Sequence, residues 1–165
     1  MIRTDQGGSR ASRLGKATES DVENQLKHFG LREATAKEKA KFRLGTVENN
    51  DIGDAWYAKN IKKFNNIYGV QFFADFYVYH KDKLPNGLII EVKSQDSPGS
   101  VDEKYVFTVL SLIGVRDVDS WIVFEGAGAR ACAIDWMRRQ SDKNTNRFTF
   151  MTYAQFRRKI MDVMQ

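Results

Sequence analysis

The chain has 165 residues, of which 42% are hydrophobic, and it carries a formal net charge of +5 at pH 7. This length and this apolar content are typical of one globular domain, so we expect a single domain over residues 1–165. The single cysteine excludes an internal disulfide framework and a cysteine-rich zinc site. The excess of positive charge favours a polyanionic partner, although basic proteins of many kinds share it.

The sequence gives no indication of a membrane protein. No apolar run approaches the length that crosses a bilayer, and the polar N-terminus lacks the apolar core of a signal peptide. A chain with one cysteine also suits a reducing compartment. We therefore expect an intracellular, cytoplasmic protein without a membrane partner, located in the host cytoplasm if a phage encodes it.

The N-terminal part is predicted to be helical after a basic arm. Residues 1–15 are polar and contain several glycines and arginines, which indicates a flexible arm. Helices are predicted over residues 17–28, 34–44 and 52–68. In the third segment, apolar residues recur at an amphipathic spacing: Ile52, Trp56, Ile61, Phe64 and Ile67. Asn50 or Asp51 is the expected N-cap of that helix.

The middle of the chain is predicted to form a β-hairpin over residues 71–93. An apolar run with alternation, FFADFYVY, leads into a polar turn over residues 81–87, which contains Pro85, Asn86 and Gly87. A second apolar run, LIIEVK, follows the turn. Antiparallel pairing would place the end of the second strand beside the start of the first.

Three charged side chains interrupt the apolar pattern of this hairpin. Asp75 lies in the first strand, while Glu91 and Lys93 are two residues apart and project from the same face of the second. Pairing across the turn can bring Asp75 beside them. Burying these charges is unfavourable unless something compensates them. A divalent cation between the two carboxylates would compensate them, and the ammonium would be available for catalysis.

The pattern of Asp75, a hairpin and then Glu91-Val92-Lys93 resembles the signature of the PD-(D/E)XK nuclease superfamily, which includes restriction endonucleases. The resemblance implies a metal-dependent DNA endonuclease that hydrolyses phosphodiester bonds. Asp75, Glu91 and the carbonyl of Val92 would bind Mg²⁺, for which Mn²⁺ would substitute, and Lys93 would align or activate the attacking water. The chain departs from the signature at Ala74, where the family has proline.

The remaining elements fit the same family. After a loop over residues 94–100, the sequence predicts a helix over 101–114, a strand over 121–126, a helix over 130–140, a short strand FTFMT and a C-terminal amphipathic helix. The predicted strands and helices read αββαβ, and the resemblance implies an α/β fold with a restriction-endonuclease-like αβββαβ core, a central mixed sheet flanked by helices. EGAGAR lacks the full pattern of a phosphate loop, so we interpret it as a strand-to-helix turn.

Glu19 is a further candidate for the metal site and for catalysis. It lies in a Gly-x-x-x-Glu setting, in which the superfamily often supplies another carboxylate. The structural alternative is an acidic residue that favours the dipole at a helix N-terminus. Glu23, one turn further, is a competing candidate, and Glu48 and Asp54 remain open because they are closer to the hairpin in sequence.

Other residues are candidates for contacts with the substrate. Gln95, on the same strand face as Lys93, is a candidate catalytic residue near the metal or the scissile phosphate. Ser100 and Glu103 also fit a capping box, which would explain both without DNA. Phosphate contacts set affinity and register without reading the base sequence. The candidates for DNA binding are Arg10, Arg13, Lys16, Ser94, Ser100 and Lys104.

The sequence leaves the biological role open. A sequence-specific enzyme of this size would act as a homodimer with one site for each strand. A Holliday junction resolvase or a homing-type, phage-encoded nuclease would use the same core. A non-catalytic DNA-binding module is the alternative from another class. The complete set of Asp75, Glu91 and Lys93 argues against such a module, which has no need of three costly buried charges.

Overall fold

The computed structural model describes residues 7–96 and 102–165. Within these residues the elements in chain order are α1 (Gly7–His28), β1 (Arg32–Glu33), α2 (Ala36–Arg43), α3 (Asn49–Ile52), β2 (Ala55–Asn65), β3 (Gln71–His80), β4 (Leu84–Ser94), α4 (Asp102–Gly114), β5 (Asp119–Glu125), α5 (Ala131–Lys143), β6 (Phe148–Thr152) and α6 (Tyr153–Met164).

The strands form one mixed sheet in the order β1-β2-β3-β4-β5-β6. The strands β2, β3 and β4 are antiparallel neighbours, whereas β1 runs parallel to β2, and β4, β5 and β6 run parallel to one another. One face packs on Phe42 of α2, Tyr105 of α4 and Met137 of α5. The other face packs on Leu26 of α1 and Phe156 of α6. This mixed sheet with helices on both faces confirms the predicted fold class.

The structure corrects the element predicted over residues 52–68, which is the strand β2 and not a helix. The consecutive residues Trp56, Tyr57 and Ala58 are all buried, because helical layers cover both faces of the strand. A strand buried on both faces has apolar residues at many positions, so a helical spacing can be found in it by chance. The predicted caps were also wrong, since Glu48 is the N-cap of the short helix α3.

The strand β2 completes the order that the family resemblance implied. The elements predicted from the sequence contained only two strands before the central helix. With β2, three antiparallel strands precede α4, and β5 follows it. The observed order therefore contains the αβββαβ core.

The first helix begins earlier than predicted, because α1 starts at Gly7 and includes residues 7–15 of the predicted basic arm. Residues 1–6 lie outside the part that the structure describes. A Cβ atom added at Gly15 would lie 2.9 Å from the hydroxyl of Ser94. The absence of a side chain at Gly15 therefore allows α1 to approach the end of β4 closely.

The predicted β-hairpin is confirmed, but its turn is shorter than expected. The turn contains residues 81–83, and Pro85, Asn86 and Gly87 belong to β4. They form an irregular start of that strand, where the register with β3 shifts. Gly87 has a φ of +81°, and a Cβ atom there would lie 2.1 Å from the hydroxyl of Tyr77, so glycine makes room for this side chain.

The other predicted elements agree with the structure to within a few residues. The helices α2, α4, α5 and α6 and the strands β5 and β6 occur where the sequence placed them. Residues 126–130 connect β5 to α5, as expected for a strand-to-helix turn. None of the helices in residues 7–96 and 102–165 is long and apolar enough to cross a membrane.

Candidate active site

The candidate site lies where β3 and β4 separate. The backbone register between them runs from His80 opposite Leu84 to Phe76 opposite Ile90. One residue further along each strand, at Asp75 and Glu91, hydrogen bonds between side chain and backbone replace the backbone pairing. The amide of Asp75 donates to Oε2 of Glu91 at 3.3 Å, and the amide of Val92 donates to Oδ2 of Asp75 at 2.8 Å. Each carboxylate is therefore held by the backbone of the opposite strand.

The alternation of β3 breaks at Asp75. Ala74 and Tyr77 pack in the same hydrophobic layer although they are three residues apart, which a regular strand does not allow. On the neighbouring strand, Asn60 occupies the level of Asp75 and has a φ of +51°. A left-handed residue within a strand re-aims the side chains around it. Asp75 lies at this irregularity and is only partly buried.

Lys93 lies within the same group. Its Nζ donates to Oε1 of Glu91 at 2.5 Å, as expected for residues two apart on one strand face. Burial lowers the pKa of Lys93, but the negative charges of Glu91, Asp75 and Glu19 outweigh burial, so the pKa is raised above its ordinary value. The charged ammonium form is therefore favoured at this position.

The carboxylates of the site are crowded. Burial raises the pKa of Glu91, the charge of Asp75 raises it further, and Lys93 only partly opposes this. Burial and the charge of Asp75 also raise the pKa of Glu19 on α1, although Lys59 and Lys93 oppose the shift. The pKa values of Glu91 and Glu19 therefore stay raised although lysines act on both carboxylates.

Glu23, the competing candidate on α1, is engaged elsewhere. Tyr57 donates to its Oε1 at 2.9 Å, Lys59 donates to its Oε2 at 2.6 Å, and Lys27 lies 2.8 Å from Oε1. Burial alone would raise the pKa of Glu23, but the hydrogen bonds from Lys27, Lys59 and Tyr57 lower it to about 2. These contacts attach α1 to β2 and support a structural role for Glu23.

The two remaining acidic candidates have structural contacts of their own. Glu48 caps α3, and its backbone amide donates to Oδ2 of Asp51 at 2.7 Å. Asp54 forms an ion pair with Lys81 at 2.8 Å, near the turn of the β3–β4 hairpin. The site lies at the opposite end of this hairpin. Neither contact links these carboxylates to Asp75.

Gln95 follows β4, and its side chain is buried. Tyr105 of α4 donates to its Oε1, and its Nε2 donates to the carbonyl of Gly128 at 3.2 Å. A Cβ atom at Gly126, which has a φ of +109°, would lie 2.3 Å from the carbonyl oxygen of Gln95. Gln95 thus connects the end of β4 to α4 and to the turn after β5. Its catalytic role stays a prediction.

Five of the six candidate DNA-binding residues lie on α1, β4 and α4. Ser94 is the last residue of β4 and lies beside Gly15 of α1. Arg10 is also part of α1, and Ser100 lies outside the described residues. Three basic side chains of this set are exposed: Arg13, Lys16 and Lys104. Their contacts with DNA stay a prediction.

Sequence reasoning missed the contribution of β2 to the site. Lys59 lies within residues 52–68, which were predicted as a helix, but it is part of the strand β2, bonds to Glu23 and lowers the pKa of Glu19. Asn60 was not a candidate, yet it stands beside Asp75. The sequence AWYA would have been the signal, because four consecutive apolar residues suit a buried strand as well as a helix.

The oxygen donors of the site suit a hard divalent cation. No group of three or more His, Cys, Asp or Glu side chains within residues 7–96 and 102–165 is arranged to hold a metal ion. The donors at hand are the carboxylates of Asp75 and Glu91, with the backbone carbonyl of Val92 between Glu91 and Lys93. Oxygen ligands and uncompensated negative charge fit Mg²⁺ or Mn²⁺ and do not fit a thiolate-bound metal.

Comparison with known families agrees with this geometry. A model described as the PD-(D/E)XK nuclease superfamily domain matches residues 10–164, which include Asp75, Glu91 and Lys93. Searches against curated proteins and against solved structures return no match. The family match extends over nearly the whole chain and agrees with its mixed sheet and its αβββαβ core. The chain therefore belongs to the PD-(D/E)XK nuclease superfamily.

Proposed function

We propose that this protein is a Mg²⁺-dependent endonuclease that hydrolyses phosphodiester bonds in DNA. The observation that carries the proposal is the placement of Asp75, Glu91 and Lys93 together at the separating ends of β3 and β4. Its setting in a nuclease superfamily domain supports a hydrolytic role for this group. A binding module would not require these three charges in a largely buried position.

The proposed metal ligands are Asp75, Glu91 and the carbonyl of Val92, with Glu19 as a further ligand, directly or through water. The raised pKa values of Glu91 and Glu19 support this set, because they reflect burial and repulsion that a cation would relieve. A bound divalent ion would supply charge stabilisation at a phosphate oxygen and acidify a water molecule.

Lys93 orients the attacking water and stabilises negative charge that develops at phosphorus. The 2.5 Å contact with Glu91 fixes the position of its ammonium group. Phosphoryl transfer depends mostly on positioning and on charge stabilisation, so a fixed cation is an effective catalytic group. The favoured charged form of Lys93 supports these two roles.

Other residues bind the substrate or position these groups. Gln95 fixes the end of β4 through Tyr105 and Gly128, so we assign it a positioning role next to Lys93. The proposed contacts with phosphate groups of DNA come from the basic and hydroxyl side chains that the sequence indicated: Arg10, Arg13, Lys16, Ser94, Ser100 and Lys104. We also propose a homodimer, which would place one site on each strand of a duplex and which sedimentation equilibrium would test.

The test is cleavage of plasmid and linear DNA in Mg²⁺, Mn²⁺ or EDTA. Lys93→Ala should reduce the rate in Mg²⁺ by about 10²–10³-fold, because one transition-state cation is lost. Lys83→Ala removes an exposed lysine from the β3–β4 turn and should cleave as the wild type does. Cleavage at the wild-type rate by Lys93→Ala would overturn the assignment.

A second measurement tests the metal site without cleavage. Binding of Mg²⁺ or Mn²⁺ to the folded protein should raise its melting temperature. Glu91→Gln removes one carboxylate and should abolish most of this increase, whereas Glu33→Gln, an exposed carboxylate on β1, should retain it. An equal increase in all three proteins would place the metal elsewhere.

A further inference from the structure

A groove of about 470 Å³ lies between α2 and the outer edge of β2. The short strand β1 covers this edge only near Trp56 and Tyr57, so the part of β2 that follows faces the groove. Besides Glu33 and small or apolar side chains, the groove is lined by Lys39, Arg43, Lys59, Asn60, Lys62 and Phe73. Residues of β1, α2, β2 and β3 thus contribute to one surface depression.

The groove has positive charge that the protein does not compensate. Lys39 and Lys59 are each paired with a glutamate, at 3.2 Å and 2.6 Å respectively. Arg43 and Lys62 form no ion pair with any residue in the described ranges 7–96 and 102–165. Two cations are therefore available to an anionic ligand such as a phosphate group.

Phe73 presents an aromatic ring to the same groove. It is 61% exposed, and Nζ of Lys62 lies 5.4 Å from the centre of its ring. Lys62 is also its partner across the β2–β3 pair. A single exposed aromatic residue is common on protein surfaces. Phe73 differs because its ring lies in the same groove as the positive charge of Lys62. Proteins that bind single-stranded nucleic acids combine such rings, on which bases stack, with cations that contact the phosphates.

The groove adjoins the candidate active site through two elements. Phe73 precedes Asp75 by two residues, which is about 7 Å along a strand. Lys59 lines the groove and also donates to Glu23 on α1 at 2.6 Å, so α1 reaches the same part of β2. A nucleotide bound at Phe73 would therefore lie close to a scissile phosphate at the proposed metal site of Asp75 and Glu91.

The size of the groove selects the kind of ligand. Its volume is that of a site for a small molecule, which suits one or two nucleotides and not the width of a duplex. A base can stack on a protein ring only after it leaves its own stack. We propose that this groove binds an unpaired nucleotide beside the phosphodiester that is cleaved, with its base on Phe73 and its phosphates on Lys62 and Arg43.

This inference rests on the proposed function and specifies its substrate as DNA with a single-stranded segment at the cleavage point. The test compares three substrates of one sequence: a single strand, a blunt duplex and a duplex with a single-stranded flap. In Mg²⁺, Phe73→Ala should reduce cleavage of the single strand and the flap by about 10-fold, the usual effect of losing one stacked base. The rate on the blunt duplex should change less than 2-fold.

Two controls separate stacking from a general loss of binding. Phe73→Trp keeps an aromatic surface and should restore cleavage of the single strand. Tyr68→Ala removes another exposed aromatic side chain, which packs on Phe107 outside the groove, and should leave all three rates unchanged. A loss that is equal on all three substrates, or no loss at all, would overturn the inference while leaving the nuclease activity established.

DNA binding measured in EDTA tests the proposed groove independently of cleavage. A fluorescent single strand should bind Phe73→Ala about 10-fold more weakly than the wild type. Lys62→Gln should reduce the slope of log K against log salt by about 0.7, as expected for one phosphate contact to a single strand. If the wild type cleaves nothing, the proposed nuclease function fails, yet binding that depends on Phe73 still supports the groove and binding independent of Phe73 refutes it.

Discussion

Two glutamates on α1, one turn apart, have opposite surroundings. Glu23 faces Tyr57 and Lys59 on β2, and its pKa is lowered to about 2. Glu19 lies close enough to Asp75 on β3 for that charge to raise its pKa. The carboxylate of Glu23 is paired with lysine side chains and stabilises the contact between α1 and the sheet. The carboxylate of Glu19 is crowded by negative charge, an arrangement typical of functional sites.

The largest expected effect on stability comes from removing the charge of Glu23, which neighbouring lysines neutralise. Glu23→Gln keeps an acceptor for Tyr57 but loses the ionic contacts with Lys59 and Lys27. Because the side chain of Glu23 is only 13% exposed, we expect a loss of about 2 kcal/mol in the free energy of unfolding, measured by urea titration at pH 7. For a domain of this size the melting temperature should fall by about 4–8 °C.

A matched control is the exposed ion pair of Glu33 with Lys39. Glu33→Gln removes the same charge from a solvated position, where ion pairs contribute about 0–1 kcal/mol. If Glu23→Gln and Glu33→Gln reduced the free energy of unfolding by the same amount, the contacts of Glu23 would contribute no more than an exposed ion pair. The contrast between Glu23 and Glu19 would then have no basis in those contacts.

The pH dependence of stability sharpens the same comparison. The pKa of Glu23 is about 2 in the folded protein and near 4.5 without these contacts. Its stabilisation should therefore be complete above about pH 5 and be lost as the pH falls from 4.5 towards 2. The difference in unfolding free energy between the wild type and Glu23→Gln should be largest at pH 6–7 and shrink at pH 3. A difference that is constant from pH 7 to 3 would contradict the ionic origin of the effect.

The sequence predicted one part of the site well because the signal was local. Apolar runs on both sides of a polar turn identified the β3–β4 hairpin, and the charges within them identified Asp75, Glu91 and Lys93. These three residues lie within a short stretch of chain, so one hairpin brings them together. The register of a hairpin follows from its hydrophobic pattern, which is visible in the sequence.

The contribution of β2 and of the N-terminal helix was not local. A strand buried on both faces lacks the alternation that distinguishes a half-buried strand, and so residues 52–68 matched a helical spacing. The start of α1 has few apolar residues, and its contact with β4 depends on a glycine, Gly15, opposite Ser94. Neither the partner strand of a segment nor a close approach of two backbones is visible in local composition.

The choice between Glu19 and Glu23 illustrates the same limit. Both are glutamates on one helix, and both come within one turn of each other, so their spacing predicts similar positions on the helix surface. Their pKa values shift in opposite directions because Lys59 and Tyr57 lie beside Glu23, whereas the charge of Asp75 acts on Glu19. These neighbours come from strands more than thirty residues away, and one of those strands was predicted as a helix.

The smallest expected effect has the opposite sign and concerns Glu19. Because the pKa of Glu19 is raised in the folded protein by burial and by Asp75, its ionised form costs stability as the pH rises through that pKa. Glu19→Gln should therefore increase the free energy of unfolding at pH 7 by a few tenths of a kcal/mol, in the range of an ordinary surface substitution. Well below the ordinary pKa of 4.5 the carboxyl is protonated in the folded and unfolded states, and the difference should vanish. With Mg²⁺ present the order of the two unfolding free energies should reverse, since the wild type has a metal-binding carboxylate that the variant lacks.

Destabilisation by Glu19→Gln in EDTA at pH 7 would mean that the carboxylate of Glu19 has favourable contacts like those of Glu23. The contrast between these two glutamates of α1 would then be wrong.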